Sequence, residues 1–160
     1  MKNAPELLAL RQIHEQCLTH ADALTGALSD MRLLGLTRSS YEHLSKEDRR
    51  LLDQFAYRYT RLQDDMGSRL MPAVLRALGE DVAAMPALDR FSRMEQLSLL
   101  SSVDEWNNLR QIHNQFTHDY PDSAHEQSER LQAAISAACQ LRSALAHISA
   151  KLQQRFGESL

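Results

Sequence analysis

The chain has 160 residues, of which 43% are apolar and 24% charged, with only 5 Gly and 4 Pro. A chain of this length can bury a substantial core, and the scarcity of Gly and Pro argues against a multi-stranded sandwich or barrel. Arg (15) far outnumbers Lys (3), but 21 acidic residues leave a net charge of -3, which argues against general coating of nucleic acid. We predict one helical domain over residues 1–160.

Two further features of the sequence concern cellular location and the two cysteines. No apolar run approaches the roughly 18 residues of a membrane span, and Arg11, His14 and Glu15 interrupt the N-terminal apolar segment, which is atypical of a signal peptide. These features predict a cytoplasmic protein. Cys17 and Cys139 lie on predicted apolar helix faces without metal-binding spacing, so both are expected to be small buried hydrophobes.

A first amphipathic helix is predicted near the start of the chain. Apolar residues recur there in steps of three and four from Leu7 to Met31, which is the period of one helix face. The helix is expected to end near Gly35, and residues 36–44 to form a connection.

A second long helix is predicted to begin at Ser45, with Asp48 as its capping-box partner three residues later. Its apolar stripe continues to Val74, and Gly79 is the expected C-terminal cap. Pro72 lies inside this pattern, which predicts a kink because proline cannot donate a backbone hydrogen bond.

Three further helical segments complete the predicted fold. A short helix follows Pro86, a longer one starts at the capping box of Ser102 and Glu105 and stops before Pro121, and a closing helix spans 131–152. The residues expected to face inward on the short helix are Leu88, Phe91, Met94 and Leu97. We therefore predict an all-α, antiparallel bundle of four or five helices.

The densest set of polar side chains lies on the helix before Pro121. Arg110, Asn114 and His118 follow one another at four-residue intervals, which places a guanidinium, an amide and an imidazole on one helix face. Such groups can hold an anionic oxygen and move a proton. The alternative is an ordinary polar face exposed to solvent.

The same stretch resembles the motif region of the HEPN domains, which are helical-bundle proteins of prokaryotic toxin–antitoxin modules. The resemblance is carried by LRQIHN at 109–114 and FTHDYP at 116–121. The family motif is Arg-Asn, then His a few residues later, often continued as His-x-Tyr, and Asn114, His118 and Tyr120 match it. The stretch YRYTRLQD at 57–64 also resembles the second helix of one branch of this family.

The resemblance implies a metal-independent endoribonuclease toxin that needs no cofactor. It implies a homodimer in which two motifs share one cleft, with His118 assisting attack by the RNA 2′-hydroxyl and Asn114 orienting the phosphate or His118. It also implies a minimal nucleotidyltransferase as the antitoxin partner. In the branch with His-x-Tyr, the hydroxyl of Tyr120 accepts adenylyl groups from that partner, and the added anion would block phosphate entry. Alternatively, Tyr120 only terminates the helix and packs its ring on the bundle.

One position departs from the family motif. His113 stands where the family has the motif arginine, and an imidazole has a shorter reach and needs a proton to bind phosphate. Two interpretations follow. Either Arg110, with or without His113, stabilises the charge on the phosphate, or the site is degenerate and the protein is a non-catalytic binding partner of a nucleotidyltransferase.

Charge is distributed unevenly along the chain. Segment 101–130 carries six acidic residues and two arginines, whereas 49–93 carries eight arginines and six acidic residues. RNA binding would therefore require phosphate contacts from the second helix, for which Arg58 and Arg61 are the best candidates. An ion pair of Arg61 with Asp65 is the alternative.

Other polar residues give weaker signals. A metal shared by His113, His118 and His125 is disfavoured by their angular spacing and by the lack of supporting ligands. The pair at 64–65 is interpreted as a solvated helix surface. The remaining histidines are expected at surface or boundary positions without partners, namely His14, His20, His43 and His147.

Overall fold

The computed structural model describes residues 4–37, 43–118, 123–157 and 160, without the side chains of Met31 and His118. This part of the chain is helical and contains no strand, which confirms the predicted all-α bundle. The elements are α1 (Ala4–Ser29), α2 (Met31–Leu36), α3 (Lys46–Asp65), a π-helical turn (Met66–Leu70), α4 (Met71–Ala77), a 3-10 turn (Val82–Ala84), α5 (Ala87–Gln96), α6 (Val103–His118) and α7 (Ala124–Phe156).

Helices α3 and α6 begin where the sequence predicts, whereas α7 begins at Ala124, seven residues before its expected start. The Ser45 hydroxyl accepts a hydrogen bond from the Asp48 backbone N–H at 3.1 Å, and Ser102 accepts one from Glu105, also at 3.1 Å. Each hydroxyl satisfies a backbone donor that has no partner within its helix. After α4, Gly79 adopts a positive φ of 86°, as expected of a residue that ends a helix.

The irregularity expected at Pro72 takes the form of a π-helical turn. The turn spans Met66–Leu70, and Pro72 follows in the first turn of α4. There the missing N–H of proline costs little, because the widened turn has already shifted the hydrogen-bond register. Gly67 lies in this turn, and a Cβ added to it would come within 3.3 Å of the Trp106 side chain.

Contacts along α3 show that it runs antiparallel to both of its long neighbours. On one side, Arg58 reaches His20 while Arg69, further along the chain, reaches Gln16, earlier in α1. On the other side, aromatic rings of α3 meet α6 in the same reversed order, with centroids 6.0 Å apart in each pair: Phe55 with Phe116 and Tyr59 with His113. Helix α3 therefore presents one face to α1 and another to α6.

Buried apolar residues from the helices form one hydrophobic cluster, in which Trp106, Tyr59 and Phe55 are the largest side chains. Burying side chains of this kind contributes roughly 1.5–3 kcal/mol each. None of the described helices is both long and apolar enough to cross a membrane.

Two residues expected in the core are exposed. Leu88 is 59% exposed, because it lies in the first turn of the short helix α5, and that helix buries only Phe91 and Met94. Cys139 is also exposed. It follows the buried Ala138 on α7 and is therefore rotated by about 100° from the face that packs inward. The prediction for Cys17 is confirmed, since that residue is fully buried.

Candidate functional site

A cavity of about 470 Å³ opens between α3, the π-helical turn, α5 and α6. Three of the predicted site residues on α6 line it together, namely Arg110, His113 and Asn114. The sequence alone gave no reason to place other helices beside them. The opposite walls are formed by Gln63, Asp64, Gly67, Ser68, Ala87, Arg90 and Phe91, and Trp106 completes the lining.

Two arginines give the cavity its positive charge. The guanidinium of Arg110 lies over the ring of Phe91, 5.0 Å from its centroid, and its Nη1 is 3.4 Å from the Asn107 side-chain oxygen. Stacking of this kind fixes the plane of a guanidinium while leaving its N–H edge able to bind an anion. Arg90 is partly exposed and forms no ion pair with the residues described.

His113 is buried rather than presented to solvent, with only 6% of its surface exposed. Its Nδ1 lies 3.2 Å from the side-chain oxygen of Asn114, and its Nε2 lies 3.3 Å from a carboxylate oxygen of Asp64 without forming a hydrogen bond. The ring also meets the ring of Tyr59 edge-on. These contacts place His113 where it can orient Asn114, which is itself exposed.

The remaining motif residues lie at or beyond the end of α6. His118 is the last residue of that helix, one turn after Asn114, and its side chain is not among those described. Tyr120 lies outside the described residues. The predicted roles of His118 and Tyr120 therefore remain predictions.

Arg58 and Arg61, the predicted RNA contacts, do not line this cavity. Arg58 Nη1 lies 3.0 Å from the Nδ1 atom of His20, and its guanidinium is 5.4 Å from the Tyr57 ring centroid. Arg61 Nη2 lies 3.7 Å from a carboxylate oxygen of Asp65, so the ion pair considered as the alternative is present. Both arginines face α1, on the other side of α3.

Asp65 is the centre of a charged cluster that the sequence did not predict. Its side chain is only 5% exposed, with His20 Nε2 at 3.4 Å and Arg69 Nη1 at 3.9 Å, in addition to Arg61. Burial lowers the pKa of His20, and this effect outweighs the opposing effect of the Asp65 charge. The interpretation of the pair at 64–65 as a solvated surface is therefore wrong for Asp65, whereas the Asp64 side chain is 53% exposed.

Three of the four histidines expected to lack partners have them, whereas His43 is exposed as predicted. His20 lies in the Asp65 cluster, His14 Nε2 is 2.7 Å from the Ser149 hydroxyl, and His147 Nε2 is 2.8 Å from the Ser98 carbonyl oxygen. Periodicity could not reveal these partners, because they come from helices distant in sequence. His125 lies 3.1 Å from Glu129 within α7. Among the described side chains, no three His, Cys, Asp or Glu groups are arranged to hold a metal ion.

The apolar pattern predicts Trp106 to lie in the core and contains no signal for Gln63 or Arg90. Trp106 and Gln63 are indeed buried, and their position in the cavity wall arises only when α3, α5 and α6 pack together. Comparisons of the chain with protein-family models, with curated proteins and with solved structures found no match. The resemblance to the HEPN domains thus depends on residues 57–64 and 109–121 together with the order of the helices.

Proposed function

We propose that this chain is a HEPN-like endoribonuclease, the toxin of a toxin–antitoxin module, that cleaves RNA as a homodimer without a metal ion. The observation that carries the proposal is the joint placement of Arg110, His113 and Asn114 in one cavity, with Arg90 opposite them. Two guanidinium groups beside an amide form a site suited to a phosphodiester.

In the proposed reaction, the 2′-oxygen of a ribose attacks the adjacent phosphorus. A new O–P bond forms, the P–O5′ bond breaks, and the products are a 2′,3′-cyclic phosphate and a 5′-hydroxyl. His118 of one subunit takes the 2′ proton, and the second copy of His118 protonates the departing 5′ oxygen. Arg110 and Arg90 stabilise the charge that develops on the phosphate.

His113 serves as a positioning residue in this proposal. Its contact with Asn114 fixes the side chain of that amide, which then donates a hydrogen bond to a phosphate oxygen. Because the imidazole is buried against Tyr59 and Asp64, Arg110 takes over the phosphate contact that the motif arginine makes in the family.

Tyr120 is the proposed point of regulation by a partner minimal nucleotidyltransferase. Its phenolic oxygen would attack the α-phosphorus of ATP, forming a tyrosyl–AMP ester and releasing pyrophosphate, while the phenol proton passes to solvent. The bulky anion next to His118 would then repel the RNA phosphate and occupy its place.

The test is cleavage of single-stranded RNA by the purified protein in the presence of EDTA. We expect His118→Ala to abolish cleavage and His125→Ala, a change of an exposed histidine on α7, to retain it. Cleavage that persists in His118→Ala, or that EDTA abolishes, would contradict the proposal.

A second candidate function is a non-catalytic partner of the nucleotidyltransferase. The observation that favours it is the carboxylate of Asp64, which lies 3.3 Å from His113, the residue that stands where the family has the motif arginine. A carboxylate beside that position repels a phosphate. Absence of RNA cleavage by the wild-type dimer, together with stable binding to the nucleotidyltransferase, would support this alternative.

A further inference from the structure

The inner wall of the cavity contains buried polar atoms that no neighbouring side chain satisfies. Gln63 is only 4% exposed, and neither Oε1 nor Nε2 of its amide forms a hydrogen bond within the described part of the chain. The same holds for Nε1 of Trp106 and Nε2 of His113. Buried polar groups are nearly always hydrogen-bonded in folded proteins. Since Nε2 of His113 already lies 3.3 Å from an Asp64 carboxylate oxygen, Gln63 and Trp106 are the residues of this wall whose polar atoms point to a ligand.

The indole of Trp106 packs close to Gly67, which lines the same cavity. Its Cζ2 atom is the nearest neighbour of a Cβ built on Gly67, and Cζ2 is bonded to the carbon that carries Nε1. Because Gly67 lines the cavity, the Cζ2 edge of the ring, next to the buried Nε1 atom, lies beside the cavity. A side chain at position 67 would narrow the space in front of that edge.

We propose that this cavity binds one nucleotide unit of RNA, with the base against Gln63 and Trp106 and the phosphate at Arg90 and Arg110. The ligand class rests on the proposed function, but the subsite rests on the unsatisfied atoms. A side-chain amide offers an adjacent donor and acceptor, which match the edge of a nucleobase in a bidentate pair. The indole N–H supplies a further donor.

The shape and charge of the cavity fit this ligand. Its volume of about 470 Å³ lies within the about 300–1,000 Å³ of small-molecule sites. The Arg110 guanidinium is stacked over the Phe91 ring, which fixes its plane and leaves its N–H edge able to bind the phosphate. The Asp64 carboxylate stands at the same cavity and disfavours a ligand with several phosphates, while it can accept hydrogen bonds from ribose hydroxyls.

Trp106 is the only tryptophan of the chain. It lines this cavity and a second one between α6 and α7, so its fluorescence reports binding at either place, and the substitutions below assign the response to this cavity. We would titrate the purified protein with AMP, CMP, GMP and UMP, and with ribose 5-phosphate as a probe that lacks the base. At least one nucleotide is expected to change Trp106 emission saturably and to bind about 10-fold or more tightly than ribose 5-phosphate. Absence of a saturable change with all four nucleotides, or equal affinity for ribose 5-phosphate, would overturn the inference.

Two substitutions test the assigned contacts. Gln63→Leu and Arg90→Ala are each expected to weaken nucleotide binding by about 10-fold or more. The matched controls are Gln54→Leu, at an exposed position on α3, and Arg76→Ala, at an exposed position on α4; both should bind like the wild type. Thermal unfolding of each variant separates loss of binding from loss of fold, and unchanged binding in a folded Gln63→Leu variant would contradict the proposed base contact.

Competition with a short RNA tests whether the ligand is part of an RNA strand or a free nucleotide. If the cavity holds one unit of a strand, a single-stranded hexanucleotide should compete with the mononucleotide at about 10-fold lower concentration or less. Equal competition would contradict the RNA assignment. Nucleotide binding without RNA cleavage would contradict the proposed nuclease function alone, whereas cleavage without any Trp106 response would overturn this inference alone.

Discussion

Buried polar side chains on the two sides of α3 have different surroundings. Towards α1, the buried Asp65 is surrounded by Arg61, Arg69 and His20 within 4 Å, so charge is balanced inside the protein. Towards α6, Gln63 and its neighbours in the cavity wall keep buried polar atoms without hydrogen-bond partners among the described residues. The opposite charges on the first side balance one another, although Oδ2 of Asp65 forms no hydrogen bond within the described residues. The neutral amide of Gln63 on the second side has no hydrogen-bond partner there and points to a ligand.

Neighbouring positions in the sequence separate these two environments. Asp64 and Asp65 are consecutive, and a helix rotates by about 100° per residue, so one carboxylate faces the cavity and the other faces α1. Arg58 and Arg61 belong to the α1 side, and Arg90 and Arg110 belong to the cavity. The net charge of segment 49–93 therefore does not measure its capacity to bind a ligand. It counts Arg58 and Arg61, which contact other residues of the protein, together with Arg90, which lines the cavity.

The largest effect on stability should come from Asp65. Asp65→Ala removes the buried partner of two arginines and one histidine, and we expect it to lower the free energy of unfolding by about 2 kcal/mol. This is less than the roughly 3–5 kcal/mol typical of a broken buried pair, because both arginines are 44% exposed and can be hydrated. Asp64→Ala is the matched control, expected to stay within about 0.5 kcal/mol of the wild type in urea unfolding.

The reactivity of the Cys17 thiol is a second test of the contrast between the two sides of α3. It is buried close to Asp65, and burial raises the pKa of its thiol to about 12, whereas Cys139 is exposed. A thiol reagent should modify Cys139 in the native protein and leave Cys17 protected. Faster modification of Cys17 in Asp65→Ala than in Asp64→Ala is expected, and equal rates would show that Asp65 does not hold α1 against α3.

A smaller effect of opposite sign is expected on the cavity side. Gln63→Leu replaces an unsatisfied buried amide with an apolar side chain of similar size, which should raise the free energy of unfolding by about 1 kcal/mol. Chemical denaturation of this variant and of Gln54→Leu measures the difference. A clear destabilisation would show that Gln63 has a structural partner and would remove the contrast between the two sides of α3.

The smallest expected effect is the dependence of thermal stability on pH. Burial lowers the pKa of both His14 and His20 from their usual value of 6.5, so the unfolded chain takes up protons first as the pH falls. Stability from this source is present above pH 6.5 and is lost as the pH decreases towards the lowered values. We expect a fall of a few degrees in Tm between about pH 7.5 and about pH 5.5. His20→Gln should reduce this slope, and His125→Gln, at an exposed site, should not.

Local sequence signals were sufficient for most of the fold. Hydroxyl caps at Ser45 and Ser102 depend on residues only three positions away, and the irregularity at Pro72 depends on the chemistry of one residue. Leu88 and Cys139 were misplaced because periodicity gives a helix face but does not give the extent of the surface that another helix covers.

The candidate site was predictable only on α6. The four-residue spacing of Arg110 and Asn114 placed them on one face, as the cavity lining confirms. Gln63 and Arg90 were not predictable, because they join the site through the packing of α3 and α5 against α6. The burial of Asp65 was missed for the same reason, since its partners His20 and Arg69 lie outside its local pattern.

The most direct test compares RNA affinity when paired arginines are removed from either side of α3. We would measure binding of a single-stranded RNA by Arg90→Ala/Arg110→Ala and by Arg58→Ala/Arg61→Ala, at several salt concentrations. The cavity variant is expected to bind about 10-fold or more weakly, with a salt dependence reduced by up to two phosphate contacts, while the other variant stays within about 2-fold of the wild type. Equal loss in both variants, or a larger loss in Arg58→Ala/Arg61→Ala, would contradict the assignment of the cavity as the RNA site.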